Sequence, residues 1–242
     1  MKTYRNLFFL LVALGGSQLC LYGQFANDLW DGEFGDAGFE VAGLGGATAP
    51  AAGPAATAVD SQGNIYIAGG GWNSLDGSVT NGASYAKWTE STGQWEVFGG
   101  AAGAGGVFEM VVGEDGTVYV GGGWSFFING TSLIQDQGVV KWDGSSWSAV
   151  GGGVSGGAVA GLPASVEAMV IDEEGNLYVG GTFTTAGNTP ARNVAMWDGS
   201  EWSAMGAGLD TRVAVLSIGP DGTLYAGGVF NPREIFKDEA RK

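Results

Sequence analysis

Acidic side chains in short turns are the residues best able to do chemistry in this chain. The runs Glu114–Asp115 and Asp172–Glu174 are each followed by a glycine. Paired carboxylates can hydrolyse a glycosidic bond, and oxygen-rich acidic loops can bind Ca²⁺. However, acid followed by glycine is also the usual composition of a tight turn, and no Asp-x-Asp-x-Asp-Gly calcium spacing occurs. We therefore interpret these acids as solvated turn residues and predict neither a catalytic residue nor a metal site.

Two residue types that dominate enzyme active sites are missing from most of the chain. There is no His among the 242 residues, and the single Cys, Cys20, lies near the N-terminus. The missing imidazole excludes Ser-His-Asp and Cys-His hydrolases, and it removes the most common general base and metal ligand. We expect a protein that is not an enzyme and that holds no cofactor.

Four aromatic residues are candidates for ligand contact. They are Trp72, Trp124, Phe126 and Phe127, which lie in the longer loops that the repeat pattern predicts. A sugar ring could stack on an indole or phenyl face there, with nearby amide or acid groups binding its hydroxyls. The alternative is that these rings pack the loops onto the core.

The elements that position these residues come from a phrase that occurs four times. Its clearest form is Asn-Leu-Tyr-Val-Gly-Gly, and the copies span Gly63–Gly70, Asp115–Gly122, Gly175–Gly181 and Asp221–Gly228. A second phrase, Trp-Asp-Gly-x-x-Trp, follows at Trp142–Trp147 and Trp197–Trp202, with a looser copy from Trp88 to Trp95. Internal repetition of this kind predicts that each unit is one small sheet that stacks on its neighbours.

The unit from Ser165 to Leu209 predicts four antiparallel strands. The strand-like runs are Val166–Ile171, Asn176–Phe183, Asn193–Trp197 and Glu201–Met205. Four strands in about 45 residues correspond to one blade of a β-propeller, so the expected fold class is all-β, a propeller-like array of four-stranded antiparallel blades. The other units are longer, and their excess is expected in loops at Gly71–Ala83, Gly123–Asp136 and Val154–Pro163.

The repeated Trp pair admits two strand registers. A two-residue turn at Asp143-Gly144 would pair Trp142 with Ser145, and a four-residue loop would pair Trp142 directly with Trp147. In both registers the two Trp residues lie on the same face of the sheet. We predict that they pack between neighbouring blades, the alternative being an exposed platform for a ligand.

The repeat phase divides the chain into a leader, a repeat domain and a tail. We expect a signal peptide at 1–24, a propeller-like domain at 25–230 and a charged non-repeat tail at 231–242. Within the domain, repeats are expected at about 55–104, 105–164 and 165–210, with a half repeat at 211–230. Another half unit, LWDGEF, lies at Leu29–Phe34. Three full and two half repeats indicate an incomplete or truncated propeller, unless Leu29–Phe34 completes the last blade and closes a small ring.

Charge and the N-terminal segment indicate the compartment. Lys2 and Arg5 precede the apolar run Leu7–Leu14, which is typical of a secretory signal and too short for a bilayer that requires about 20 residues. We expect a secreted or cell-surface protein without a stable transmembrane segment. The formal net charge of −15 disfavours nucleic acid, so the expected partner is a protein or a glycan at the cell surface.

The alternation of Asp-Gly-Asn-Leu-Tyr-Val-Gly-Gly-type phrases with Trp-Asp-Gly-Ser-Ser-Trp-type phrases resembles a known group of repeats over about residues 28–230. It is similar to the kelch-like β-propeller repeats of secreted bacterial surface proteins, and to the propeller region of fungal cortical marker proteins. The resemblance implies a non-catalytic module for protein binding or scaffolding. A carbohydrate-binding lectin or adhesin is the alternative, and a propeller glycoside hydrolase fragment is the third reading.

Overall fold

The computed structural model describes residues 39–41, 54–75, 78–98, 101–102, 106–124, 127–129, 132–134, 138–157 and 164–229. Within these residues the chain forms strands throughout and contains no helix. The expected all-β class is therefore confirmed. The predicted signal peptide, the half unit at Leu29–Phe34 and the charged tail lie outside the described residues.

Blade 1 is a four-stranded antiparallel sheet with one added strand. Its strands run in the order β2-β3-β4-β5, and β1 pairs with the far half of β3. The bounds are β1 Phe39–Val41, β2 Pro54–Val59, β3 Ile65–Leu75, β4 Ser78–Thr89 and β5 Gln94–Val97.

Blade 2 repeats this arrangement and carries a small three-stranded sheet beside it. The blade consists of β7 Val107–Val112, β8 Val118–Gly122, β11 Val139–Trp142 and β12 Trp147–Ala149, in that spatial order. The small sheet, in the order β10-β9-β6, consists of β6 Ala101–Ala102, β9 Phe127–Asn129 and β10 Ser132–Ile134.

Blade 3 is the most regular unit, and blade 4 is represented by two strands. Blade 3 consists of β14 Ser165–Ile171, β15 Leu177–Thr182, β18 Val194–Trp197 and β19 Trp202–Ala204. A small sheet beside it consists of β13 Val154–Ser155, β16 Thr185–Ala186 and β17 Thr189–Pro190. In the described part of blade 4 the strands are β20 Val213–Ile218 and β21 Leu224–Gly228.

The strands of blade 3 agree with the prediction, but two predicted loops were wrong. Gly71–Ala83 is mostly the continuation of the β3-β4 hairpin, and Gly123–Asp136 contains β9 and β10. These stretches carry aromatic and β-branched residues that pair across the hairpins: Phe127 opposes Ile134, and Trp72 opposes Ala83. Cross-strand pairing of such residues favours strand over irregular loop.

The Trp pairs adopt the register with a four-residue loop. Trp142 opposes Trp147, and Trp197 opposes Trp202, with ring centroids 5.5 and 5.3 Å apart. Gly144, inside this loop, has a φ of 93°, which a residue with a side chain rarely adopts. Asp143 and Gly144 are therefore two of the four loop residues and do not form a two-residue turn.

Neighbouring blades are joined by their first strands and by Trp side chains. β2, β7, β14 and β20 pack on one another in succession, which places the first strand of each blade on the inside of the array. Trp147 Nε1 donates a 3.0 Å hydrogen bond to the carbonyl of Phe98, and Trp202 Nε1 donates an equivalent bond to Val150. Both acceptors directly follow the fourth strand of the preceding blade. The predicted inter-blade role is confirmed for these two buried indoles.

Glycines in the second strands allow the blades to approach closely. A Cβ placed on Gly121 would lie 2.8 Å from Val166 Cγ1 of the next blade. In the same way, a Cβ on Gly180 of blade 3 would lie 2.5 Å from Val213 Cγ1 of blade 4. Since real Cβ atoms do not approach other atoms so closely, side chains at these two positions would push neighbouring blades apart.

Each first strand contains a bulge at the same place. The pairing with the second strand skips one residue early in β2, β7, β14 and β20. The four skipped residues, which we call the bulge positions, are Ala55, Phe108, Glu167 and Ala214. Bulges re-aim side chains, so these four positions direct side chains out of the regular pattern at one end of the inner strands.

Candidate functional site

The two ends of the array differ in charge. In each antiparallel blade, the turn between strands one and two and the turn between strands three and four lie at the same end. We call this the acidic end. Its described acids are Asp60, Glu90, Glu114, Asp115, Asp143, Asp172, Glu173, Glu174, Asp198, Glu201 and Asp221. The first residues of the inner strands, including the bulge positions, lie at the opposite end.

The turns between strands one and two share one backbone hydrogen-bond pattern, but side chains cap them in two ways that alternate along the array. In blade 1, Asp60 accepts hydrogen bonds from Asn64 N, Asn64 Nδ2 and Tyr66 Oη at 2.9, 2.7 and 3.2 Å. In blade 3, Asp172 accepts the same three bonds from Asn176 and Tyr178 at 2.7, 2.9 and 3.1 Å. These aspartates therefore hold their own turns and the tyrosine at the start of the second strand.

In blades 2 and 4 the same backbone turn is capped by a different aspartate. Asp115 Oδ1 accepts a bond from Thr117 N at 2.9 Å, and Asp221 Oδ1 accepts one from Thr223 N at 3.1 Å. Glycine stands where blades 1 and 3 have aspartate, at Gly113 in the second blade. The structural period at the acidic end is therefore two blades.

In the turns between strands three and four, an aspartate likewise accepts hydrogen bonds from the turn residues that follow it. Asp143 Oδ1 accepts hydrogen bonds from Ser145 Oγ, Ser146 N and Ser145 N at 2.8, 2.8 and 2.9 Å. These bonds lower the pKa of Asp143 to about 2. In blade 3, hydrogen bonds from the backbone N–H groups of Glu201 and Ser200 lower the pKa of Asp198 in the same way. Both carboxylates are fully ionised at neutral pH.

Two clefts are described at the acidic end, one between blades 1 and 2 and one between blades 3 and 4. The cleft between blades 3 and 4 has a volume of about 680 Å³, and the one between blades 1 and 2 has about 280 Å³. The walls of the larger cleft include Asp172, Glu173, Glu174 and Tyr178 on one side and Asp221 on the other. Among the described residues that line the larger cleft, every charged side chain is a carboxylate.

The two clefts differ in charge at several corresponding positions, one of which faces the tyrosine of the second strand. Lys87 opposes Tyr66 across β3 and β4, and its ammonium lies 5.2 Å from the ring centroid of that tyrosine. Met196 opposes Tyr178 in the same way in blade 3. The smaller cleft therefore has a lysine where the larger one has a methionine, and it also has Ser61 and Gln62 where the larger one has Glu173 and Glu174.

The ionised turn aspartates make stability depend on acid pH. Burial, the largest single influence, would raise the pKa of Asp60, but its hydrogen bonds from Asn64, Gln62 and Tyr66 together lower it. The pKa of Asp143 falls from 3.8 to about 2. A carboxyl group whose pKa is lower when folded stabilises the fold above its unfolded pKa and ceases to do so as pH falls through its folded pKa.

We therefore expect the urea midpoint to be constant from pH 7 to about pH 5 and to fall between about pH 4 and pH 2. Circular dichroism at a series of pH values measures it. Asp143→Asn, which keeps an acceptor oxygen but no titrating group, should reduce the fall. A midpoint that stays constant down to pH 2.5, or an equal fall in the variant, would contradict this.

The opposite end presents a connected set of side chains from three blades. Phe108 is 48% exposed, and its ring lies 3.0 Å from the position that a Cβ on Gly123 would take. Ser165 of the next blade lies against the same glycine. Ser165 Oγ donates a 3.2 Å bond to Glu167 Oε1, and Glu167 Oε2 forms an ion pair with Arg212 Nε at the start of blade 4.

The four predicted ligand-contact residues fall in different places. Trp124 is fully buried, and its indole covers Gly122, which favours the packing alternative for this residue. Trp72 lies in β3 and Phe127 begins β9, so both are strand residues, and Phe126 lies outside the described residues. The ligand role of Trp72, Phe126 and Phe127 stays a prediction.

Two further features of the described residues concern metal binding and membrane insertion. No group of three or more His, Cys, Asp or Glu side chains there is arranged to hold a metal ion. The same residues include no helix of the length and hydrophobicity needed to cross a bilayer.

No protein-family profile and no curated protein matches the chain. Among solved structures it is similar to the extracellular domain of the putative one-component system BT4673 from B. thetaiotaomicron, at 10% identity and a TM-score of 0.42 over 73% of this chain. The extracellular domain of the putative hybrid two-component system BT4673 matches 72% of this chain at 9% identity and a TM-score of 0.31. The chain spans 20% and 26% of these two structures.

A third similar structure is XC5397 from Xanthomonas campestris, described as a gluconolactonase. It is 11% identical, has a TM-score of 0.27, and the match covers 71% of this chain and 68% of that one. At these identities and TM-scores, the similarities indicate neither a ligand nor an activity for this chain.

Proposed function

We propose that this protein is a non-catalytic binding module of the cell surface or the extracellular space, and that its acidic end binds a cationic segment of a partner protein. The observation that carries the proposal is the pair of clefts at the junctions of blades 1 and 2 and of blades 3 and 4. Both are lined by carboxylates, and the described lining of the larger one includes no Lys or Arg. The extracytoplasmic location rests on the signal-like N-terminal sequence.

Binding, and not catalysis, is supported by how the carboxylates are used. Asp60, Asp172 and Asp143 each accept several hydrogen bonds from their own turns. A general acid must hold a proton near neutral pH, whereas hydrogen bonds, led by the one from Ser145 Oγ, lower the pKa of Asp143 to about 2. These aspartates stabilise turns and present a fixed negative field to a partner.

The contrast between Lys87 and Met196 tests the proposal. Binding of fluorescein-labelled octalysine is measured by anisotropy in 150 mM NaCl. We expect Met196→Lys to weaken binding by about threefold to fivefold, because it places a cation in the larger cleft. Lys87→Met should strengthen binding by removing the cation from the smaller one. Lysine already occupies the corresponding position in blade 1, so the first variant is expected to fold.

Val229→Lys is the matched control. It adds the same charge at an exposed residue that follows β21 at the opposite end, so it tests the effect of net charge alone. Equal weakening by Met196→Lys and Val229→Lys would show that octalysine binds to overall charge and would refute the cleft. Absence of binding to the parent protein would also refute the proposal.

Carbohydrate binding is the second candidate. The burial of Trp124 removes one of the four aromatics on which that reading first rested. What favours it now is a different aromatic residue, the half-exposed Phe108, together with the polar side chains that lie next to it.

A further inference from the structure

We propose that Phe108 and Arg212, together with Ser165 and Glu167, form a binding site for a neutral glycan at the end opposite the acidic end. The site is separate from the two acidic clefts. It is assembled from three consecutive blades, since Phe108 belongs to blade 2, Ser165 and Glu167 to blade 3, and Arg212 precedes the first strand of blade 4.

The aromatic part of the site is created by a bulge. Phe108 is the skipped residue of β7, so its side chain leaves the alternation that buries Val107 and Met110. The ring lies over Gly106 and Gly123, whose missing side chains make room for it. Nearly half of Phe108 stays exposed. An apolar ring that lies against glycines and is open to solvent offers a face on which the C–H groups of a pyranose can stack.

The polar part of the site is held in place by Glu167. Its Oε1 accepts bonds from Ser165 Oγ and from Thr182 Oγ1 at 3.4 Å, and its Oε2 pairs with Arg212 Nε. The Glu167 side chain is only 12% exposed, whereas Arg212 is 57% exposed. The guanidinium pairs with Glu167 through Nε, and the arginine side chain is more than half exposed, so its terminal amino groups are accessible to a ligand. These donors suit the acceptor oxygens of vicinal sugar hydroxyls.

The charges around the site favour a neutral sugar over an acidic one. Glu167 and Arg212 neutralise each other, and Glu109, the residue after Phe108, adds a half-buried carboxyl group. The whole chain carries a net charge of −15, which repels a polyanionic glycan at moderate ionic strength. A ligand that supplies hydroxyl acceptors without charge avoids that repulsion.

The other blades do not repeat the site. The corresponding bulge positions are Ala55 in blade 1 and Ala214 in blade 4, which offer neither an aromatic face nor a carboxylate. Only the junction of blades 2, 3 and 4 combines both features within the described array. The proposal therefore expects one glycan site in this part of the chain.

The test measures binding of neutral gluco-, galacto- and manno-oligosaccharides by isothermal titration, with an oligogalacturonate of equal length as the acidic comparison. Phe108→Ala and Arg212→Ala should each weaken binding of the preferred neutral sugar by at least about tenfold. Two control variants are matched in type: Tyr225→Ala removes an aromatic residue that is 53% exposed elsewhere, and Arg192→Ala removes another exposed arginine at the same end.

Arg212→Lys keeps the positive charge but loses the planar guanidinium, and this variant should also bind the neutral sugar weakly. Circular dichroism and the thermal midpoint confirm that each variant is folded. Neutral-sugar binding that is lost in the Phe108 and Arg212 variants and kept in both controls supports the site. The proposal is overturned if no neutral sugar binds, if the oligogalacturonate binds more tightly, or if the controls lose binding equally. None of these outcomes bears on octalysine binding at the acidic end.

Discussion

Replacing Trp202 by alanine is expected to lower the free energy of unfolding by about 3–5 kcal/mol. Trp202 is only 6% exposed, and the centroid of its ring lies 5.3 Å from that of Trp197. Its Nε1 also donates the 3.0 Å bond to the carbonyl of Val150 in blade 2. The substitution therefore creates a cavity and removes a bond between two blades. Urea denaturation followed by circular dichroism measures the change.

Two further variants show which part of Trp202 matters. Trp202→Phe keeps a ring but cannot donate to Val150, so an intermediate loss is expected. Tyr225→Ala is the control because that ring is half-exposed on blade 4, and surface changes are usually within about 0.5 kcal/mol. If Trp202→Ala had the same midpoint as the parent protein, the indole would not hold the two blades together.

Replacing Gly180 by alanine is expected to destabilise the fold by about 1–3 kcal/mol. The added Cβ would lie 2.5 Å from Val213 Cγ1 and 3.1 Å from Val213 Cβ. Valine has little rotamer freedom with which to withdraw, so blades 3 and 4 would have to separate slightly. The urea midpoint of the variant measures this loss.

The repeat supplies a matched control for Gly180. Gly227 occupies the corresponding position in blade 4, where it opposes Val215 as Gly180 opposes Ala168. A Cβ at Gly227 would have its nearest neighbour, Val215 Cβ, at 3.6 Å, an ordinary contact. Gly227→Ala should be neutral or slightly stabilising, since glycine inside a strand costs about 0.5–1 kcal/mol relative to alanine. Equal losses at the two positions would show that blade packing is not the cause.

The sequence was sufficient to predict the blades, because each strand of a blade is specified by local pattern. Val166–Ile171 and Asn193–Trp197 were read from apolar runs between turn residues, and the strands lie within about one residue of those bounds. The Trp phrase was compatible with two registers. The hydrogen bonds from Ser145 and Ser146 to Asp143 favour the four-residue loop, and a pattern of residue types does not distinguish this arrangement from a two-residue turn.

The candidate sites were harder to predict, because they depend on which blades are adjacent. Phe108, Glu167 and Arg212 are far apart in sequence, and a bulge that sequence pattern does not show is what exposes Phe108. An alignment of the first strands of the repeats places Phe108 and Glu167 at the same repeat position, which is the signal that could have linked them. Trp124 was misleading for a related reason: Gly122, directly beneath its indole, allows it to fold into the core.

The alternation of side-chain caps divides the array into pairs of blades. Asp60 and Asp172 cap the turns in one way, and Asp115 and Asp221 cap them in another. Both clefts lie at a junction where a blade with the first cap precedes a blade with the second. An engineer who shortens or extends this array should therefore move such pairs of blades together. Removing blade 2 alone would bring blades 1 and 3, which have the same cap, side by side and would remove the junction that forms the smaller cleft.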